Sequence, residues 1–282
     1  MNIDKITTDI NNFGFTTIPS IFDQKTLDSL NFLNNKTPKS REGQFPVFFK
    51  QFIIKALKFD YKKINQSFHL KRIAKSLKFE EISDRFFESK SELNQIDSYF
   101  TEKSQNEILP WHNDLGLTKK KLNNFLAIDS FYNSAEATIL DKKTKVSPRG
   151  LKFFIYLTDV KSNNGSLSII PSSNKIVKAI TKLILEKKIP LVSYWSLQDL
   201  RNVMLNFEFK EHILKEIGIE KYNNFIDQTN FIDKENLNVT QYDIEMKKGS
   251  IVIFDELCIH RGSAPKNNPR IVLRYLYGKK II

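Results

Sequence analysis

Gly249-Ser-Ile-Val-Ile-Phe-Asp-Glu-Leu-Cys-Ile-His260 is followed by Arg261-Gly262 and, after a Pro- and Asn-rich turn, by Pro269-Arg270-Ile-Val-Leu-Arg274. The first run is rich in β-branched and apolar residues and reads as a strand from Ile251 to Ile259 that delivers His260 at its end. The second reads as a strand that begins with Arg270. A histidine at a strand end and an arginine at the start of the next gain chemical meaning only when a second donor group is found. The chain offers one much earlier, at Trp111-His112-Asn113-Asp114.

In an extended chain, residues two apart project from the same face. His112 and Asp114 can therefore reach one ion while Asn113 points elsewhere. Taken alone, His-x-Asp is as readily a histidine satisfied by a neighbouring carboxylate. With a distant histidine such as His260 it becomes a set of two imidazoles and one carboxylate, which holds Fe(II) by one face and leaves the opposite positions open. Arg270 adds a planar guanidinium, which grips a carboxylate through two parallel hydrogen bonds in a way lysine cannot copy. A metal with open positions beside a carboxylate clamp is what a 2-oxoacid dicarboxylate requires.

Composition bounds the rest. The chain has 282 residues, enough to bury a large core, with 40% hydrophobic and 27% charged residues, as in ordinary globular proteins. Cys258 is the single cysteine, so no internal disulfide framework exists and a reducing compartment is expected. Met1-Asn-Ile-Asp-Lys5 lacks the basic start and apolar stretch of a secretory signal, and no run is long enough to span a bilayer, so the expected location is the cytoplasm. The formal charge of +12 leans towards an acidic or phosphate-bearing small-molecule substrate. Its lysines are scattered in twos and threes without a paired aromatic and basic stripe, and no nucleic acid is expected as a partner.

Towards the N-terminus, Asn12 to Pro19 reads as an opening strand, and Asp23 as the cap of a helix carrying Leu27, Leu30 and Leu33. Helical spacing recurs in Phe49, Phe52, Ile53 and Leu57, and in Ile64, Phe68 and Ile73. Alternation from Ile96 to Phe100 marks entry into a sheet. After the His-x-Asp segment, residues 117–149 lack strong periodicity and are expected to form a lid or pocket loop. Gly150 to Asp159 suits a buried strand. Asn163-Asn164-Gly165 then predicts a hairpin to Leu167–Ile170 within one sheet. A helical insertion over 174–241 follows, with Ile176, Ile180, Leu183 and Ile184 on one face, a capping box of Ser196 and Asp199, and Gly218 closing a helix over Glu211–Ile217. His69 and His212 read as surface or packing residues.

Taken in order, Trp111-His112-Asn113-Asp114, Leu151 to Val160, Asn164-Gly165-Ser-Leu with Ile170-Pro-Ser-Ser-Asn-Lys175, and Gly249 to Asp255 with His260-Arg-Gly262 and Arg270 resemble the successive signatures of the phytanoyl-CoA dioxygenase family. That family belongs to the Fe(II)- and 2-oxoglutarate-dependent oxygenases, and the likeness runs from about Phe13 to Tyr277. It implies a mainly β fold with α, a double-stranded β-helix (a cupin-like jelly roll) as one domain over residues 1–282, with the N-terminal helices and the insertion packed outside. It further implies that His112, Asp114 and His260 ligate Fe(II), that Arg270 holds the distal carboxylate of 2-oxoglutarate, and that O2 is the co-reactant.

Two departures stand out. Family members often carry a hydroxyl residue two places after the second histidine, where this chain has Gly262, leaving Ser263 as the neighbouring candidate for cosubstrate binding. The gap from His260 to Arg270 is slightly short, which makes Arg274, on the same face of the strand, the fallback clamp. Halogenating relatives replace the carboxylate with a small residue, so the presence of Asp114 points to hydroxylation of an unactivated carbon, with release of succinate and CO2. The alternative is a jelly-roll module that binds a metal or ligand without turnover.

Overall fold

The computed structural model describes residues 1–36, 39–40, 61–103, 109–115, 125–127, 139–141, 149–230 and 240–280. Twelve strands, β1 (Phe15–Ile18), β2 (Lys39–Ser40), β3 (Ser91–Thr101), β4 (Leu109–His112), β5 (Phe125–Ala127), β6 (Ile139–Asp141), β7 (Gly150–Tyr156), β8 (Leu167–Ile169), β9 (Asp243–Ile244), β10 (Ile251–Asp255), β11 (His260–Gly262) and β12 (Arg270–Lys279), lie among these residues. With them are eight helices: α1 (Ile3–Phe13), α2 (Gln24–Lys36), α3 (Tyr61–Ser76), α4 (Phe79–Phe87), α5 (Ser173–Leu185), α6 (Leu197–Leu205), α7 (Phe207–Ile217) and α8 (Ile219–Thr229). None of the helices among the described residues is long and apolar enough to cross a membrane.

The strands build a six-stranded sheet in the order β1-β10-β7-β12-β3-β2 and a four-stranded sheet in the order β4-β11-β8-β9, with β5 and β6 pairing apart. From β3 onward the chain passes repeatedly from one main sheet to the other, which is the winding of a double-stranded β-helix. Phe154, Tyr156, Val252, Phe254 and Val272 of the larger sheet pack with Leu167 and Ile169 of the smaller one to form the core of the sandwich. On its outer face the larger sheet presents Leu151, Phe153, Ile155, Ile251, Ile253, Leu273 and Tyr275 to α1, α3 and α4. Covered on both sides, β7 is buried at all seven positions, which explains its apolar and aromatic run, interrupted only by Lys152. The insertion helices α5 to α8 form a third cluster with Trp111, Ile170, Leu257 and Ile259.

Several local signals translate directly into structure. Asp23 accepts the N–H of Thr26 at 2.7 Å at the start of α2. Ser196 and Asp199 form the expected reciprocal capping box of α6, and Gly218 ends α7 at a φ of 81°. His69 and His212 are exposed. The predicted opening strand is shorter than expected, since its first residues complete α1, whose buried face is Ile3, Ile6 and Ile10. Phe68 is 63% exposed, and α3 instead buries Leu70 and Ala74. Phe49, Phe52, Ile53 and Leu57, and most of 117–149, lie outside the described residues.

Two expectations are corrected by the winding. β7 and β8 do not share a sheet: the Asn164-Gly165 turn, closed by Lys161 and Asn164 through mutual backbone hydrogen bonds of 3.3 and 2.9 Å, carries the chain from the larger sheet to the smaller. Likewise Ile251 to Ile259 is not one strand. β10 ends at Asp255, whose carboxylate accepts the N–H of Leu257 at 3.0 Å and whose carbonyl accepts that of Cys258 at 2.9 Å. This turn moves the chain across, and His260 opens β11 in the opposite sheet. Apolar content alone cannot reveal such a crossing, because both segments are buried.

Phe153 is fully buried, stacked on Phe79 with ring centroids 4.2 Å apart and edge-on to Tyr277. Phe153→Ala should therefore cost about 3–5 kcal/mol of unfolding free energy, read as a lower midpoint in urea denaturation.

Candidate metal centre

β11 lies antiparallel to β4 with His260 directly opposite His112, and the two rings stand 4.6 Å apart, centroid to centroid. Asp114 sits just past the end of β4, where its N–H donates to the carbonyl of Glu256 at 3.2 Å. Asn113 between them turns the other way, its amide donating to the carbonyls of Tyr194 and Trp195 at 2.8 and 3.2 Å. The i, i+2 geometry expected from the sequence is thus present. One donor atom from each of His112, Asp114 and His260 lies within 4.8 Å of the other two.

The imidazoles are prepared for ligation. His112 Nδ1 lies 2.7 Å from the carbonyl of Pro110, and His260 Nδ1 lies 2.8 Å from that of Cys258. A carbonyl can only accept, so Nδ1 carries a proton in each ring and Nε2 is the atom left to face a metal. Both Nε2 atoms face Asp114, at 3.9 Å from Oδ1 for His112 and 3.4 Å from Oδ2 for His260. Burial, helped by His112 and Lys152 and opposed by Asp114, pushes the His260 imidazole down to about 4, so it is neutral at physiological pH. Burial alone would raise Asp114, but Lys152, His260 and His112 outweigh it and hold its carboxyl well below the usual range. Two imidazoles and one ionised carboxylate form a donor set that suits a divalent first-row metal.

Lys152 and Glu256 complete the surroundings, and neither was flagged by the sequence reading. Lys152 Nζ lies 2.6 Å from Asp114 Oδ2, 3.1 Å from Glu256 Oε1 and 5.7 Å from the centre of the Phe254 ring. A lysine inside an apolar strand was the available signal: in a run buried on both faces, a cation must find a partner. Trp195 is the other unflagged neighbour. Its ring is 5.1 Å from that of His112, and the adjoining Ser196 bridges to His112 through the backbone, which stitches the helical insertion to the site.

Arg270 and Arg274 have different fates. Arg274 is buried and bound through Nε to Asp97 at 2.7 Å, with Nη2 on the other carboxylate oxygen, and its guanidinium covers the Tyr99 ring at 4.5 Å. The fallback clamp is therefore already engaged with a carboxylate of the chain itself. Arg270 reaches the Thr101 hydroxyl at 3.3 Å and the Gly165 carbonyl at 3.5 Å. A Cβ added to Gly262 would stand 3.0 Å from Arg270 Nη1, so the glycine two residues after His260 is what lets the guanidinium lie against β11. Ser263 is fully buried and shares its hydroxyl with Ser166 at 2.9 Å, which accounts for it as a packing contact between the loop and β8.

No protein-family model matches the chain, and no curated protein matches it. Solved structures do. EvdMO1 aligns with a TM-score of 0.50 at 11% identity over 99% of this chain, which spans half of EvdMO1; this likeness reaches the fold and no further. The non-heme alpha-ketoglutarate-dependent epimerase SnoN from nogalamycin biosynthesis aligns at 0.49 with 10% identity, covering 98% of this chain and 83% of SnoN. HygX from Streptomyces hygroscopicus, solved with nickel and 2-oxoglutarate, aligns at 0.47 with 14% identity, covering 99% and 87%.

The depressed His260 has a measurable consequence in the metal-free protein. Its imidazole stays neutral to about pH 4 when folded, while the unfolded chain takes up the proton near 6.5. Stability present in full above that value is then lost as pH falls towards 4, by about 2–3 kcal/mol. Urea unfolding near pH 7 and near pH 4.5 should show this loss in the wild type and a smaller one in His260→Gln.

Proposed function

We propose that this chain is an Fe(II)- and 2-oxoglutarate-dependent oxygenase of the phytanoyl-CoA dioxygenase kind, hydroxylating an unactivated carbon of a small organic substrate. The observation that carries the reading is the convergence of two imidazole Nε2 atoms on one ionised carboxylate, with Arg270 of β12 lying against Gly262, the residue two along β11 from His260. His112, Asp114 and His260 would hold the iron, and Arg270 the distal carboxylate of 2-oxoglutarate. When bound, iron and its cosubstrate supply the oxidation, coupling O2 to the conversion of 2-oxoglutarate into succinate and CO2 with one oxygen atom placed in the substrate C–H bond.

The chain's own residues do the positioning. The carbonyls of Pro110 and Cys258 keep both imidazoles in the ligating tautomer. In the metal-free site Lys152 compensates the charge that Asp114 brings, a part that the bound cation would take over. Arg270 offers a planar guanidinium suited to grip a carboxylate through two parallel hydrogen bonds, and its Nη2 donates to the Thr101 hydroxyl, which helps to hold it in place. Trp195 presents an aromatic wall beside His112, in the position to border a substrate.

Purified protein supplied with Fe(II), ascorbate and 2-oxoglutarate should form succinate slowly even without substrate, and His112→Ala or Asp114→Ala should abolish it. A protein whose bound metal ignores 2-oxoglutarate in calorimetry would overturn the proposal in favour of a binding module. Arg270→Ala should weaken 2-oxoglutarate binding by about tenfold or more while metal affinity, measured separately, stays near that of the wild type.

A further inference from the structure

The larger sheet places a second acid close to the candidate iron ligands. Glu256 is buried in the turn after β10, and its backbone carbonyl accepts the Asp114 N–H, so the two acids are tied together by the main chain. Their side chains meet on one ammonium, with Lys152 Nζ 2.6 Å from Asp114 and 3.1 Å from Glu256. Glu256 does not belong to the group of donors formed by His112, Asp114 and His260. Its other carboxylate oxygen packs against Gly150, with Oε2 2.5 Å from the point a Cβ on Gly150 would occupy. The missing side chain of Gly150 is what makes room for it.

Chemically this matters because a carboxylate is a good ligand for the same metals. A second one free to swing towards the two imidazoles would fill a position that a chelating cosubstrate needs. We propose that Lys152 is a positioning residue that sets the ligand count: it holds Glu256 back against Gly150 and leaves Asp114 as the single carboxylate facing the two Nε2 atoms. This inference rests on the iron-site reading above. It predicts that Lys152 is needed because of Glu256, so that removing both is milder than removing Lys152 alone.

Cobalt(II), whose visible absorption reports coordination number, is the probe, titrated into the full chain before and after 2-oxoglutarate. In the wild type, 2-oxoglutarate should shift the cobalt bands. Lys152→Met should bind cobalt at least as tightly but with altered bands, and its affinity for 2-oxoglutarate should fall by about tenfold. Lys152→Met combined with Glu256→Gln should recover both the bands and the 2-oxoglutarate affinity to within about threefold. Should Lys152→Met fail to fold, the double variant decides: folding with retained 2-oxoglutarate binding supports the proposal, and lost binding overturns it, because Lys152 would then act on the cosubstrate itself. A wild type that takes up cobalt and 2-oxoglutarate beside a Lys152→Met chain that does the same overturns this inference alone. A wild type that takes up no cobalt overturns the site reading together with it.

Discussion

The pairing of β11 with β4 is the constraint on which the site depends. Two strands separated by almost 150 residues of chain are hydrogen-bonded in one sheet, and their register sets His260 opposite His112. A slip of one residue would turn every side chain of β11 to the other face and replace His260 with Arg261 or Ile259. Register here is held from both sides. β8 pairs with β11 residue for residue, from Ile169 opposite His260 to Leu167 opposite Gly262, and a slip there would turn the buried Leu167 and Ile169 of β8 out of the core.

A row of alternating charge runs through the barrel beside this pairing. Asp114, Lys152 and Glu256 are joined by two ion pairs, and Arg274 is bound to Asp97 further along the larger sheet. Charges removed from water are costly unless each meets its opposite with good geometry. The strands supply that geometry, because Lys152 on β7, Arg274 on β12 and Asp97 on β3 all project to the inner face of neighbouring strands. Arg270 stands apart from this row and lies against Gly262, near the Thr101 hydroxyl. The two arginines of β12 thus have distinct surroundings despite sharing a strand and a face.

Much of this was legible in order along the chain. Strand and helix signals rest on local physics: β-branched runs, capping pairs such as Ser196 with Asp199, and the positive φ of Gly218. The spacing of His112 and Asp114 carries its own geometry, since two residues apart on an extended chain is one face. What remained hidden was nonlocal. The crossings after Tyr156 and after Asp255 could not be read, because a buried strand looks the same in either sheet. Lys152 could be recognised as a cation in an apolar run, but its partners are residues 114 and 256, and only packing brings them within reach.

By itself, then, the sequence determined the candidate donor types, the i, i+2 spacing of His112 and Asp114 and the helical character of the N-terminal and insertion segments, because each of these follows from properties of residues within a few positions of one another. The tertiary structure alone decided that His260 belongs to the smaller sheet, that Arg274 is committed to Asp97, that Ser263 pairs with Ser166, and that one lysine stands between two acids. The physical reason is the same in each case. Side-chain partners are chosen by which strands lie side by side and which faces meet, and those neighbours are set by the winding of the whole chain.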